Sequence, residues 1–371
     1  MLFMKKLKII ATEFQTFPKY LKYIFSSRKR AIYIGCLGHH NIGDDAVYKA
    51  IKLMIKSKIV LYAVDYANVS KGAKLRKFHF SYPDYIIIGG GTIIKKKATE
   101  SYLRLILNYY HEYPKAQLII LGSGVASPTL AKQIGFPTDV EAWATILNKC
   151  SYISVRGPLS KTIIVNDWHV TTPIEILYDP ALHFKQTKAQ KSRKKIIGVN
   201  FCNIVSRIYG LDQKKVDVFA KNMVQKFLDN DWKVILFPTT DSDMGYMRNV
   251  LGDEIFKSVK HADFKNIDKS LRFFDTIDIF LGMRLHSIIF SALKSTPFYA
   301  IEYEQKTSDF LQSIGLNNHQ VRTDELNVDK VFSEVNFVYT NLEEEQNELF
   351  VLVNQAKSKQ IQVVKAFLES V

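Results

Sequence analysis

Ile277-Asp278-Ile279-Phe280-Leu281-Gly282-Met283-Arg284-Leu285-His286-Ser287-Ile288-Ile289-Phe290-Ser291-Ala292-Leu293 reads as two apolar runs separated by a short turn. The first run, five residues ending at Leu281, predicts a buried strand, and the run from Ile288 to Leu293 predicts a helix. Gly282-Met283-Arg284-Leu285-His286-Ser287 therefore stands where a strand gives way to a helix. In open α/β sheets, ligands bind outside the carboxyl ends of strands, and a helix N-terminus there favours an anion. A permanently charged guanidinium two residues from a titratable imidazole suits anion capture coupled to proton transfer. The plainer alternative is a surface arginine and a hydrogen-bonded structural histidine.

The same unit recurs along the chain. Ala31-Ile32-Tyr33-Ile34-Gly35 predicts a strand that runs into Asn41-Ile42-Gly43-Asp44-Asp45 and a helix over about residues 46–56. Gly35, Gly38 and Gly43 fit neither the dinucleotide fingerprint nor the phosphate loop. Asp44 and Asp45 suit helix capping or the holding of sugar hydroxyls. His39 and His40 with Asp44 form too loose a cluster for a metal site. Tyr85-Ile86-Ile87-Ile88 is uniform enough to be buried on both faces, as in a parallel sheet, and ends in Gly89-Gly90-Gly91-Thr92. Strands at Leu118–Leu121 and Tyr152–Val155 follow, the second delivering Arg156. After a lysine-rich stretch at 185–195, read as an exposed linker, the pattern restarts with Ile196-Ile197-Gly198-Val199-Asn200.

These units predict the α/β class: two Rossmann-like domains facing a cleft, spanning 31–184 and 196–340. Residues 341–371 predict a closing helix. Its Leu349, Val353, Ala356, Val364 and Phe367 fall on one face.

Composition narrows the setting. Hydrophobic residues make up 47% of the chain, as in ordinary globular proteins, yet the net charge is +15. Such a surplus points to a polyanionic neighbour. Residues 1–30 set eight lysines and arginines against the single acid Glu13, interleaved with aromatic and aliphatic residues. That pattern predicts contact with an anionic membrane surface rather than nucleic acid, for which no recognition motif is present. Cys36, Cys150 and Cys202 have no metal-ligand spacing and read as reduced thiols. No run is long and apolar enough to predict a transmembrane helix, and no secretory signal is expected.

In order and spacing, the motifs resemble the polysaccharide pyruvyl transferase family. They are Gly38, Asn41, Gly43 and Asp44 after the first strand; Asp84 with Gly89-Gly90-Gly91; and Ser154-Val155-Arg156-Gly157-Pro158-Leu159-Ser160. Asp179-Pro180-Ala181-Leu182, the Gly282, Arg284 and His286 set, and Tyr303 with Lys306 complete them. Gly157 departs from the pattern, because many relatives carry an acid after the arginine. The resemblance implies a GT-B-like fold and transfer of a pyruvyl group from phosphoenolpyruvate onto two sugar hydroxyls, forming a cyclic ketal. It also implies a lipid-diphosphate-linked acceptor at the inner face of the cytoplasmic membrane, with no cofactor beyond this co-substrate.

Phosphoenolpyruvate carries a carboxylate and a phosphate, so its pocket needs fixed cations. Arg156, Arg284 and Lys306, with the neighbouring Leu285, are the expected donor-binding residues. His286 is the expected general acid/base. Asp44 is the second expected catalytic residue, orienting or deprotonating the acceptor beside Asn41, Gly90, Gly91 and Thr92. Asp179, beside a proline, reads as a turn residue. The rival readings are a nucleotide-sugar glycosyltransferase of the same architecture, with Glu302 or Glu304 on the ribose, and a non-enzymatic polyanion-binding protein.

Overall fold

The computed structural model describes residues 23, 25–37, 40–65, 82–95, 102–204 and 207–371. Residues 1–22, most of the stretch with the expected membrane contact, lie outside them, as do Gly38 and His39. Seven strands form the first sheet: β1 Lys29–Gly35, β2 Ile59–Asp65, β3 Tyr85–Ile88, β4 Gly91–Ile94, β5 Gln117–Val125, β6 Tyr152–Val155 and β7 Ile174–Ile176. Their order is β2-β1-β3-β5-β6-β7, with β4 pairing on β5. The second sheet holds β8 Ile196–Asn200, β9 Lys233–Leu236, β10 Lys260–His261, β11 Ile279–Gly282, β12 Phe298–Glu302 and β13 Gln320–Arg322, in the order β10-β9-β8-β11-β12-β13. Every pairing in both is parallel.

Parallel sheets need both faces covered, which is why β3 and β11 carry no charged residue and are buried along their whole length. Strand order reverses at β1 and at β8. These are the switch points where open α/β sheets leave a crevice.

One apolar cluster spans both halves of the chain. It joins Ile42, Ala46 and Ala50 of the helix Ile42–Ile55 to Phe280 and Leu285 near β11 and to Leu349, Val353 and Ala356 of the C-terminal helix. The Ile42 amide also donates to the Thr239 carbonyl at 3.1 Å.

The last helix, Leu342–Ser370, is the closing element the sequence predicts. It fastens the chain just after β7. Gln360 Nε2 donates to the carbonyls of Leu177 and Asp179 at 3.1 and 3.0 Å, and Lys357 Nζ donates to those of Leu182 and Phe184.

One expectation needs correction. The helix predicted at 46–56 begins at Ile42, because Asn41 caps it; its side-chain oxygen accepts from the Gly43 amide at 2.9 Å. The stretch 185–195 is mostly exposed, as expected, and is also tied to the second half of the chain. Lys191 Nζ donates to Phe274 O, Ile277 O and Thr296 Oγ1 at 2.7–2.9 Å, and burial pushes its amine down to about 8. Asp278 accepts from the amides of Arg193, Lys194 and Ile196 at 2.9–3.1 Å.

Phe367 is 1% exposed, with its ring 4.7 Å from that of Tyr152. Phe367→Ala is therefore expected to cost roughly 3–5 kcal/mol in chemical unfolding. A loss within 0.5 kcal/mol, about what a surface substitution costs, would show that the closing helix does not hold the first sheet.

Candidate active site

Both switch points open onto one cavity of about 150 Å³. The first half of the chain contributes Asn41, Asp44, Gly91, Thr92, Lys95 and Arg156; the second contributes Arg284, Leu285, His286 and Lys306. Gly90 does not line it. A Cβ there would meet Val47 and Pro180 at 2.6 and 3.0 Å, so Gly90 serves close packing.

His286 is aimed by its neighbours. Asn200 ends β8, and its side chain ties three strand ends together: Oδ1 accepts from the Arg284 amide at 2.9 Å and Nδ2 donates to Phe237 O at 2.8 Å. The helix Leu285–Leu293 begins there and projects the imidazole across to Gly43. A Cβ on Gly43 would lie 2.1 Å from His286 Nδ1, so only glycine admits the ring. That glycine serves contact between the halves, not backbone approach to a ligand.

The other ring nitrogen, Nε2, has no hydrogen-bond partner among the described residues and lies 3.8 Å from Asp179 Oδ2, which has none either. Asp179 is fully buried; its Oδ1 accepts from the Ala181 amide at 2.9 Å. Tyr178 just before it holds a left-handed backbone at φ 65°. Asp179 is thus a turn residue through one oxygen and faces the site through the other. Burial pushes the His286 imidazole below its ordinary value, opposed by Asp179 and Asp44 and assisted by Arg156 and Lys306. Burial pushes the Asp44 carboxyl up, partly offset by His286, Lys306 and Lys95.

The expected cations differ in what they can offer. Arg156, 1% exposed, has Nε and Nη2 without hydrogen-bond partners among the described residues; Nε lies 3.8 Å from Asp309 Oδ2. Gly124 leaves it room, because a Cβ there would sit 2.4 Å from Nη2. Arg284 is already engaged: Nε and Nη2 donate to Asp243 at 2.6–3.2 Å, leaving Nη1 as the nitrogen Asp243 does not hold. Lys306 pairs with Glu304 at 2.6 Å and lies 4.3 Å from the centre of the Tyr303 ring. Burial opposes its charge, but Glu304 and Tyr303 outweigh burial and raise its amine above the ordinary value.

Gly157, the departure noted in the sequence, has a physical reason. A Cβ there would lie 2.3 Å from Asp309 Oδ1. Asp309 binds the Leu159 and Ser160 amides at 2.9 and 3.2 Å and the Ser160 hydroxyl at 2.6 Å, so an acid from another element already occupies the space.

The sequence reading missed Lys95, Asp179, Asp243 and Asp309 as site neighbours. Asp243 had a signal: Thr240 caps the helix Asp241–Ser258, and Asp243 Oδ2 accepts from Thr239 at 2.8 Å.

A family model described as polysaccharide pyruvyl transferase matches residues 41–305, which include Arg156, Arg284 and His286. The chain belongs to the polysaccharide pyruvyl transferase family. No curated protein matches it by sequence. Among solved structures it is similar to Staphylococcus aureus MnaA in a co-structure with UDP, at 9% identity and a TM-score of 0.57, over 93% of this chain and 98% of that one. A putative UDP-N-acetylglucosamine 2-epimerase from Listeria monocytogenes aligns at 9% identity and 0.54, over 88% and 91%. A UDP-GlcNAc 2-epimerase from Neisseria meningitidis bound to UDP-GlcNAc aligns at 9% and 0.50, over 91% and 100%. At such identities the likeness shows the fold alone, a GT-B-type pair of Rossmann-like halves.

Asp179→Asn keeps the Ala181 cap but removes the charge facing His286. It is expected to lower kcat on the order of tenfold or more, leave KM for the donor nearly unchanged, and move the acidic limb of the rate profile to lower pH. An unchanged profile with unchanged kcat would leave Asp179 a turn residue only. Gly43→Ala is expected to displace His286 and cut kcat by at least as much.

Proposed function

We propose that this family member transfers the pyruvyl group of phosphoenolpyruvate onto two hydroxyls of one sugar in a surface-polysaccharide precursor, releasing inorganic phosphate. The observation that carries the reading is the unpartnered edge of buried Arg156 in the cavity that also holds His286. A buried guanidinium with free donors is a seat for an oxyanion. Lys306, Lys95 and Arg284 Nη1 add cations for a donor bearing both phosphate and carboxylate, and Leu285 supplies an apolar wall.

In this mechanism, His286 is neutral near pH 7 and takes the proton of the first acceptor hydroxyl, which Asp44 and Asn41 orient. The oxygen adds to the central carbon of phosphoenolpyruvate while the proton taken up by His286 is passed to the methylene carbon, which becomes the methyl group. Phosphate then departs with the C–O bonding electrons, leaving an oxocarbenium-like carbon. The second hydroxyl adds to it and gives its proton to the phosphate or through His286. Two hydroxyl protons are thereby accounted for, one on carbon and one on phosphate. General acid–base help of this kind is worth roughly 10²–10⁴-fold.

The nucleotide-sugar alternative finds less support. Glu302 accepts from the Ser308 hydroxyl at 2.5 Å, and Glu304 pairs with Lys306, so neither acid is free for a ribose. A non-enzymatic platform gives no reason to bury unpaired Arg156 and Asp179 atoms together, an arrangement that costs stability. The acceptor we infer is lipid-diphosphate-linked, with residues 1–30 contacting the anionic cytoplasmic membrane face. Among the described residues, no helix is long and apolar enough to cross a membrane.

The deciding assay incubates the chain with phosphoenolpyruvate and a panel of galactoside, glucoside and mannoside acceptors, measuring phosphate release and ketal formation by mass spectrometry. Acceptor-dependent release is expected. Release of nucleotide from a sugar nucleotide, with no phosphate from phosphoenolpyruvate, would overturn the proposal.

His286→Gln removes no hydrogen bond at Nε2 and is expected to lower kcat roughly 10²–10⁴-fold with little change in melting temperature. Because the imidazole acts as a base with a lowered value, wild-type activity should hold across neutral pH. It should fall only as pH drops through that value, below the ordinary 6.5. Arg156→Lys should raise KM for phosphoenolpyruvate at least tenfold.

A further inference from the structure

A second cavity, of about 200 Å³, lies against the first. The two share Lys95, Arg284, Tyr303, Glu304 and Lys306 as a common wall. The cations around the second cavity are unevenly matched. Lys306 is paired with Glu304, and Arg284 with Asp243, each at 2.6 Å. Lys95, just past β4, has no ion-pair partner among the described residues, although its charge reaches the Asp44 and Glu304 carboxyls. Arg207, in the loop after β8, is exposed and lines the second cavity but not the first. It too has no ion-pair partner among the described residues. Two unmatched cations therefore face the second cavity, one shared with the reacting site and one beyond it.

Ser127 adds a neutral donor. Its Oγ accepts from the Leu130 amide at 3.3 Å, which leaves the hydroxyl proton for a ligand. Leu130, Ala131, Ile134 and Ile204 give the cavity an apolar side. Apolar surroundings lower the local dielectric and strengthen the pairing of any anion held there.

We infer that the second cavity is the release site for the phosphate cleaved from the donor, held by Arg207, Lys95 and Ser127. The inference rests on the transferase reading above and deepens it. Free phosphate carries about two negative charges near pH 7, which two unmatched cations balance. Phosphate formed beside Arg156 can pass Lys95, Lys306 and Arg284 Nη1 without leaving a cationic surface. Once across the wall it no longer competes with the second hydroxyl for the oxocarbenium-like carbon. The acceptor's diphosphate carries the same phosphoryl chemistry. The shared wall favours the leaving group, because that group is formed against it.

The test titrates wild type, Arg207→Ala and Arg207→Lys with inorganic phosphate, followed by phosphorus NMR, with and without saturating phosphoenolpyruvate and with no acceptor. Wild type should bind phosphate and phosphoenolpyruvate together. Arg207→Ala should weaken the phosphate bound beside phosphoenolpyruvate at least tenfold and leave KM for phosphoenolpyruvate within twofold, while Arg207→Lys should retain most of that binding. In turnover, phosphate should inhibit wild type noncompetitively against phosphoenolpyruvate, and Arg207→Ala competitively. Complete exclusion of phosphate by phosphoenolpyruvate in wild type, or phosphate affinity unaltered by Arg207→Ala, would overturn the release site. So would geranyl diphosphate binding the Arg207-dependent site at least tenfold more tightly than phosphate, which would assign the cavity to the acceptor's diphosphate.

The two readings fail separately. If no acceptor releases phosphate but phosphate binds beside phosphoenolpyruvate and depends on Arg207, the second oxyanion seat stands and the transferase reading falls. If acceptors do release phosphate and its binding ignores Arg207, the transferase reading stands and the release site falls.

Discussion

The approach of His286 to Gly43 is the contact on which the rest of the site depends. It brings the helix N-terminus after β1 against the helix N-terminus after β11, so the two switch points face each other across one cavity rather than opening separately. The contact requires a residue without a side chain at position 43. The Ile42–Thr239 hydrogen bond and the shared apolar cluster hold the two halves at that distance. Every charged group proposed to act is positioned by this closure.

The charges fall into two kinds. Arg284 and Lys306 are matched by Asp243 and Glu304, which fixes their geometry and keeps them protonated. Arg156 Nη2, Asp179 Oδ2 and His286 Nε2 are buried without hydrogen-bond partners. Unpaired buried polar atoms are costly, and they cluster where a ligand completes the pairing. Stability for this arrangement comes from elsewhere: both sheets have strands with interiors close to 0% exposed, and the closing helix grips the segment 177–184 that carries Asp179.

Much of this was legible in the sequence because it is local. Apolar runs ending in glycine and polar residues marked β1, β3, β6, β8 and β11, and motif order led to Arg156, Arg284 and His286. Short β7 and β13 lacked enough residues to show a pattern. The role of Gly43 left no local mark, since it admits a side chain from 243 residues away. Asp179 was read only as a turn because one carboxylate oxygen does that work and the other meets His286 through tertiary packing. Asp309 fills the space at Gly157 from a helix about 150 residues onward, which no local pattern records.

A structure of the complex with phosphoenolpyruvate tests the central claim most directly. The account predicts a phosphate or carboxylate oxygen about 2.7–2.9 Å from Arg156 Nη2, the spacing of a charge-assisted hydrogen bond. It also predicts that the reacting double bond faces His286. Phosphoenolpyruvate bound elsewhere, with Arg156 still unpartnered, would contradict it.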